Sequence, residues 1–188
     1  MKLNIQLAIA CATMAFAASS FALTAAERSA EKDRISAEYK AAKAQCKALK
    51  SNAKDVCEEQ AKGAEKVASA QLKYNADPNE KNRYAVAKSK ADADYNVAKE
   101  KCDDLSGNDK DVCKKDAKAA HVRALESAKV AEVRQDPTAK SSDVAEARKD
   151  ASDKTREADY KAAKERCDAL SGNAKDTCVT DAKRKYGQ

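Results

Sequence analysis

Residues 95–118 read YNVAKEKCDDLSGNDKDVCKKDAK, with Cys102 and Cys113 set around Ser106-Gly107-Asn108 in a segment otherwise rich in Lys, Asp and Ala. Nearly the same text stands at residues 39–62, YKAAKAQCKALKSNAKDVCEEQAK, and at residues 160–183, YKAAKERCDALSGNAKDTCVTDAK. The shared pattern is Y-x-x-A-K-x-x-C-x-x-L-x-x-N-x-K-D-x-C-x-x-x-A-K. A long pattern repeated with so few mismatches signals one structural unit used three times. The middle of each copy reads as a turn. Gly107 and Gly172 suit the left-handed position just past a helix end, and Asn108 and Asn173 are expected to cap a second helix with Asp111 and Asp176 at its N3 position. In the first copy Ser51 replaces the glycine, so that turn should be strained or differently closed. Each unit is thus helix, tight turn, helix.

Positions across an antiparallel hairpin pair at a constant sum of residue numbers. If Cys102 faces Cys113, then Ala98 faces Ala117, Tyr95 faces Ala120 and Ala91 faces Ala124. The same register sets Cys46 on Cys57, Ala42 on Ala61, Tyr39 on Ala64 and Ile35 on Ala68, and in the third unit Cys167 on Cys178 and Ala163 on Ala182. Steps of four and three residues are those of a coiled-coil seam. Helices packed through alanine lie near the short end of the ~8–10 Å range of axis separations. Subtracting two Cα radii of about 2.3 Å leaves facing Cα atoms roughly 3.5–5.5 Å apart, within reach of a cystine. Six cysteines allow several connectivities; this register favours one bridge within each unit. An alanine seam buries little apolar area, so closing a loop of about twelve residues, worth roughly 3 kcal/mol in the chain-entropy model, matters here. The sites expected from sequence are therefore the structural disulfides Cys46–Cys57, Cys102–Cys113 and Cys167–Cys178.

The segments outward from these units carry punctuation. Thr24-Ala25-Ala26-Glu27 reads as a capping box, and Asp77-Pro78-Asn79-Glu80 as an N-cap Asp, a first-turn Pro and an N3 Glu. Asp136-Pro137 opens the third unit, whose helix could start there or at Ser142. Further out, MKLNIQLAIACATMAFAASSFA has one Lys, a short apolar run and a small-x-small end, the pattern of a secretory signal peptide. The run is broken by Thr13, Ser19 and Ser20, too early for a span of about 20 residues. Only four apolar residues precede Cys11, and Ala8 is a poor lipobox residue, which argues against lipidation. The expected organisation is signal peptide 1–22 and hairpin repeats 23–76, 77–135 and 136–188, with no stable membrane anchor after cleavage.

Cleavage would remove both Phe, both Met and Cys11, leaving six of the 7 cysteines, and Lys2, taking the formal charge from +6 to +5. An even cysteine set behind an export signal implies disulfides and an oxidising compartment, here read as the periplasm. With 36% charged residues and a mean hydropathy of −0.79, one large core is excluded. The fold class expected is all-α: three tandem disulfide-stapled antiparallel helical hairpins, Ala-rich and coiled-coil-like, with arms of about 22–28 residues. Val86, Val97, Val122, Val130 and Val133 are the candidates for contacts between units.

Motifs that carry chemistry are missing. There is no C-x-x-C, C-x-x-C-H, G-x-S-x-G, P-loop, G-x-G-x-x-G or H-E-x-x-H, and the single His, His121, reads as an exposed helix-surface residue. Gly63, Gly107, Gly172 and Gly187 are too few for a phosphate cradle. Carboxylates fall into helical pairs such as Glu58–Lys62, Asp111–Lys115 and Glu157–Lys161. Tyr39, Tyr95 and Tyr160 read as hairpin packing. The 31 acidic residues interspersed with 37 basic ones, without an aromatic stacking platform, argue against nucleic acid. No catalytic, cofactor or metal residues are expected.

The repeat resembles a group of exported proteobacterial proteins with tandem YKAAKxxCDxLxGNAKDxC helical repeats, sometimes labelled cell-envelope biogenesis or TolA-like. The resemblance spans about Thr24 to Lys183 and rests on the Cys-turn-Cys cores. The TolA-like label reflects shared Ala/Lys/Glu/Asp helix composition, since this chain has neither a retained anchor nor a recognisable folded C-terminal domain of that kind. The resemblance implies an envelope setting. The expectation is a non-enzymatic periplasmic structural or interaction protein, a spacer or scaffold in a stress-related setting, whose partner would be an envelope protein or cell-wall component. The alternative is a periplasmic chaperone that holds unfolded clients.

Overall fold

A computed structural model describes residues 23–188 as six α-helices: α1 (Ala25–Cys46), α2 (Ser51–Ala76), α3 (Glu80–Lys101), α4 (Gly107–Gln135), α5 (Ser141–Cys167) and α6 (Gly172–Tyr186). The signal-peptide reading falls on residues 1–22, outside the described residues. The protein is all-α, three disulfide-stapled helical hairpins, α1–α2, α3–α4 and α5–α6. Sequence neighbours also pack between hairpins: α2 lies along α3 and α4 along α5, and these two seams are more extensive than those inside the hairpins. The result is an antiparallel zigzag rather than beads on a string. Its three disulfide turns lie along one edge and its two proline linkers along the other.

Helix ends explain where the arms stop. The Thr24 box forms as read: Thr24 Oγ1 accepts from the Glu27 N–H, and Glu27 accepts from the Thr24 N–H at 2.7 Å. Four other helix starts differ from the sequence reading, that of α5 by one residue from its Ser142 alternative. Asp77 is the residue after α2, and Asn79 is the N-cap of α3, accepting from the Asn82 N–H at 2.8 Å. The Asp77 carboxylate instead accepts from the Asn79 side-chain amide at 2.7 Å. α5 begins at Ser141, where Asp143 accepts from the Lys140 N–H. In the turns, Gly107 and Gly172 are themselves the first helical residues behind Ser106 and Ser171, so Asn108 and Asn173 lie inside the first turn and do not cap it. Asp111 and Asp176 then fall beyond N3.

Arm lengths also depart from expectation. α4 has 29 residues, whereas α6 has 15 and ends at Gly187 in a left-handed cap. Level with its neighbour in the Cys167–Cys178 register, Tyr186 reaches only Asp159, so the first two-thirds of α5 has α4 alone beside it.

The seams show how far the predicted register runs. Ala61, Ala117 and Ala182 are buried, as are Cys46, Cys102, Cys167 and Ile35. Further from the cystines the register describes burial on the first arms only: Ile35 and Ala91 are buried, but Ala64, Ala120 and Ala124 are exposed and Ala119 is buried instead. α2 and α4 each have a helix on two sides, so their buried faces are a compromise that a hairpin considered alone does not contain. The drift of a 3.6-residue helix against a seven-residue repeat adds to it.

Candidate functional site: the disulfide edge

The edge is built three times. Each first arm ends at or beside its buried cysteine, the next four residues turn the chain, and the second arm starts from a residue with positive φ: 51° at Ser51, 55° at Gly107, 54° at Gly172. The cysteines of each unit have Cα atoms 5.6, 5.6 and 5.7 Å apart, inside the range a cystine needs. The pairing is the one the alanine register favours. In the cytosol such pairs stay reduced; three formed bridges place the fold in an oxidising, non-cytosolic setting.

Beside each cystine sits a large exposed side chain. Leu49, Leu105 and Leu170 are 43%, 44% and 43% accessible, and they occupy the same place in each repeat. Consecutive turns are two helices apart, so the leucines are spaced roughly 16–20 Å along the edge at ordinary helix separations. Sequence reading passed over them because a leucine three residues after a cysteine looks like core.

Charge marks the second and third turns. Asp103 receives both Lys114 (2.8 Å) and Lys110 (2.9 Å), whose hydrogen bonds hold its carboxyl down at about 2. Asp168 is lowered in the same way by Lys175 at 2.8 Å. The first turn lacks this clasp, because Lys47 stands where the others have Asp and Lys54 turns to Glu58 instead. Its Asn52 donates 2.8 Å across the seam to the Glu100 carbonyl near the end of α3.

The middle hairpin holds the one histidine, and it is not the exposed residue expected. His121 stacks on Tyr95 with ring centroids 4.7 Å apart, its Nε2 lies 2.7 Å from Asp92, and its side chain is 9% exposed. Burial raises the Asp92 carboxyl, but hydrogen bonds from Lys88 and His121 outweigh this and leave it below the ordinary range. Tyr95 therefore stacks on the residue after Ala120, the position the register set across from it. Tyr39 and Tyr160 are half-buried, with Lys43 over the Tyr39 ring. Glu157–Lys161 forms as a helical pair at 2.6 Å, whereas Lys62 prefers Glu59 and Lys115 crosses to Glu165 of α5.

Among the described residues no group of three or more His, Cys, Asp or Glu could hold a metal, and no helix is long and apolar enough to cross a membrane. Comparison with protein-family models, curated proteins and solved structures finds no match to the chain.

Proposed function

We propose that the protein is a non-enzymatic structural or interaction protein of the bacterial cell envelope, a spacer or scaffold working in the periplasm. The observation that carries this reading is the edge itself: three cystine-pinned turns present three exposed leucines at regular spacing. A solvated leucine leaves apolar area uncovered, worth about 25 cal/mol per Å² once a partner covers it. A rigid row of such contacts adds avidity without any one of them being strong. The partner this suits is an extended envelope protein or cell-wall component able to touch several turns together.

The test places a photocrosslinking residue at Leu105 and, separately, at Pro78 on the opposite edge, in cells exporting the protein. Adducts to an envelope component are expected from Leu105 and not from Pro78, and they should weaken when Leu49 and Leu170 become Ser. Equal labelling from both edges, labelling of nothing, or reproducible substrate turnover by the purified protein would remove the reading.

A further inference from the structure

The α4–α5 seam carries a ladder of cross-helix charges. Asp116 meets Arg166 at 2.5 Å, Lys115 meets Glu165 at 3.7 Å, Arg123 pairs with Asp159, and Glu126 meets Lys154 at 3.1 Å. Each rung joins opposite signs. Carried on in the same register toward the Asp136-Pro137 linker, the ladder reaches Arg134, and the position across from it is Arg148. That rung sets like charge against like.

These two arginines are unusual in the chain. Arg34, Arg83, Arg123, Arg156, Arg166 and Arg184 each hold a carboxylate, and Arg28 donates to the Leu23 carbonyl. Of the arginines among the described residues, only Arg134 and Arg148 have neither an acidic partner nor a hydrogen bond. Neither has an Asp or Glu three or four residues away on its own helix. The helix dipole accounts for Arg134, in the last turn of α4, but not for Arg148, two turns into α5.

Both line a cleft of about 540 Å³ between the two helices, with Arg123 and Arg156 further along it. Its floor includes half-buried Val130, Ala131 and Ala151, and Ser127, Ser152 and Thr155 supply hydroxyls. Its one acidic lining residue, Glu126, is held by Lys154, and no lysine lines it, in a chain where lysine far outnumbers arginine. The cleft lies beside the part of α5 that α6 does not reach. It lies at the opposite end of α4 and α5 from the leucine edge, so it does not depend on how that edge is used.

We infer that this cleft binds a phosphate ester through Arg134 and Arg148. A phosphomonoester carries about −1.5 to −2 at neutral pH, which neutralises the like-charged rung. Two guanidinium forks match its oxygens bidentately, as ammonium groups do not. The hydroxyls and the short apolar floor suit the polar and carbon parts of the same ligand, and the volume is that of a small-molecule site. The ester could be soluble or a lipid headgroup, and the chemistry of recognition is shared.

The oxidised full-length exported protein is titrated with glycerol 3-phosphate, and separately with phosphatidylcholine vesicles with and without phosphatidic acid, following backbone amide shifts. Saturable shifts clustered on residues 127–134 and 148–155 are expected from one probe. Saturation by the soluble ester assigns a free ligand, and saturation by phosphatidic acid vesicles alone assigns a headgroup. Arg134→Gln with Arg148→Gln should weaken binding by about tenfold or more, as expected for losing charge-assisted bonds. Arg148→Lys should weaken it less, and Arg28→Gln not at all. Both arginines are exposed, so the variants should melt as the parent does. No saturation by either probe, shifts spread evenly over the lysine-bearing faces, or a double variant that binds as before would overturn the inference.

Discussion

The two seams between hairpins are made from equivalent parts of the same repeat, yet they pack differently. Along α2–α3, burial runs from the cystine end almost to the linker through Ala61, Gly63, Ala91, Leu72 and Asn82. Asn82 closes that end by donating 2.7 Å to the Asp77 carbonyl. Along α4–α5, Ala119 and Ala162 are buried near the cystines, and no residue from 120 to 161 is buried. Aligned on the first cysteines, Gly63 opposite Ala93 in the first seam corresponds to Ala119 and Ala158 in the second. A Cβ on Gly63 would stand 2.7 Å from the Ala93 Cβ, so one missing methyl lets the first pair of helices approach closely. The second seam keeps its methyls, holds its helices by charge and leaves a cleft. Small differences in side-chain size thus turn one repeat into a closed contact in one place and an open one in another.

Removing a cystine is the strongest way to disturb this arrangement. Cys167→Ala with Cys178→Ala should cost roughly 3 kcal/mol locally by the chain-entropy model, because α6 is the shortest arm and has only α5 to hold it. Hydrogen exchange should show α6 amides losing protection while α2–α3 keeps its own; equal loss in both would mean that the seams are not separate cooperative regions.

Gly63→Ala tests the close approach directly. Helix propensity gains about 1 kcal/mol, but an overpacked contact costs about 1–3 kcal/mol, and a backbone-close Ala93 cannot swing aside. A net loss of thermal stability is expected, largely restored by adding Ala93→Gly. A more stable Gly63→Ala protein would show that the helices part freely.

The first turn is the weakest of the three by its residues. Ser51 is the one non-glycine residue with positive φ among the described residues, a conformation costing roughly 1–2 kcal/mol in an L-residue. Ser51→Gly should raise the melting temperature, and Gly107→Ser should lower it by a similar amount.

The smallest single effects belong to the charge ladder. Asp159→Asn leaves Arg123 without its partner and should cost less than about 1 kcal/mol, as partly exposed pairs do. Acid removes many such pairs together. Asp103, Asp168, Asp153 and Asp92 are all held below their ordinary range by bonded lysine or histidine. Folded, they bind protons less readily than in the unfolded chain, so their contribution is complete above the ordinary carboxylate range. It is lost as pH falls through that range toward about 2, the value for Asp103. Urea midpoints should therefore fall between pH 5 and about pH 2. A flat profile would mean that these four aspartates contribute nothing to stability.

Much of this was legible in the residues. Cysteine spacing, turn glycines and the alanines within a turn of each cystine lie inside a 24-residue segment, so local geometry alone determined the hairpins, their bridges and the strain at Ser51. The partners of Lys115 and His121, the caps at Asn79 and Ser106, the exposed leucines and the arginine cleft needed the tertiary structure. The reason is the composition: helices with alanine on every side have no single apolar face, so propensity and pattern cannot say which side meets the next hairpin. Only the packing of α2 and α4 between two neighbours each, with one methyl missing at Gly63, decided that.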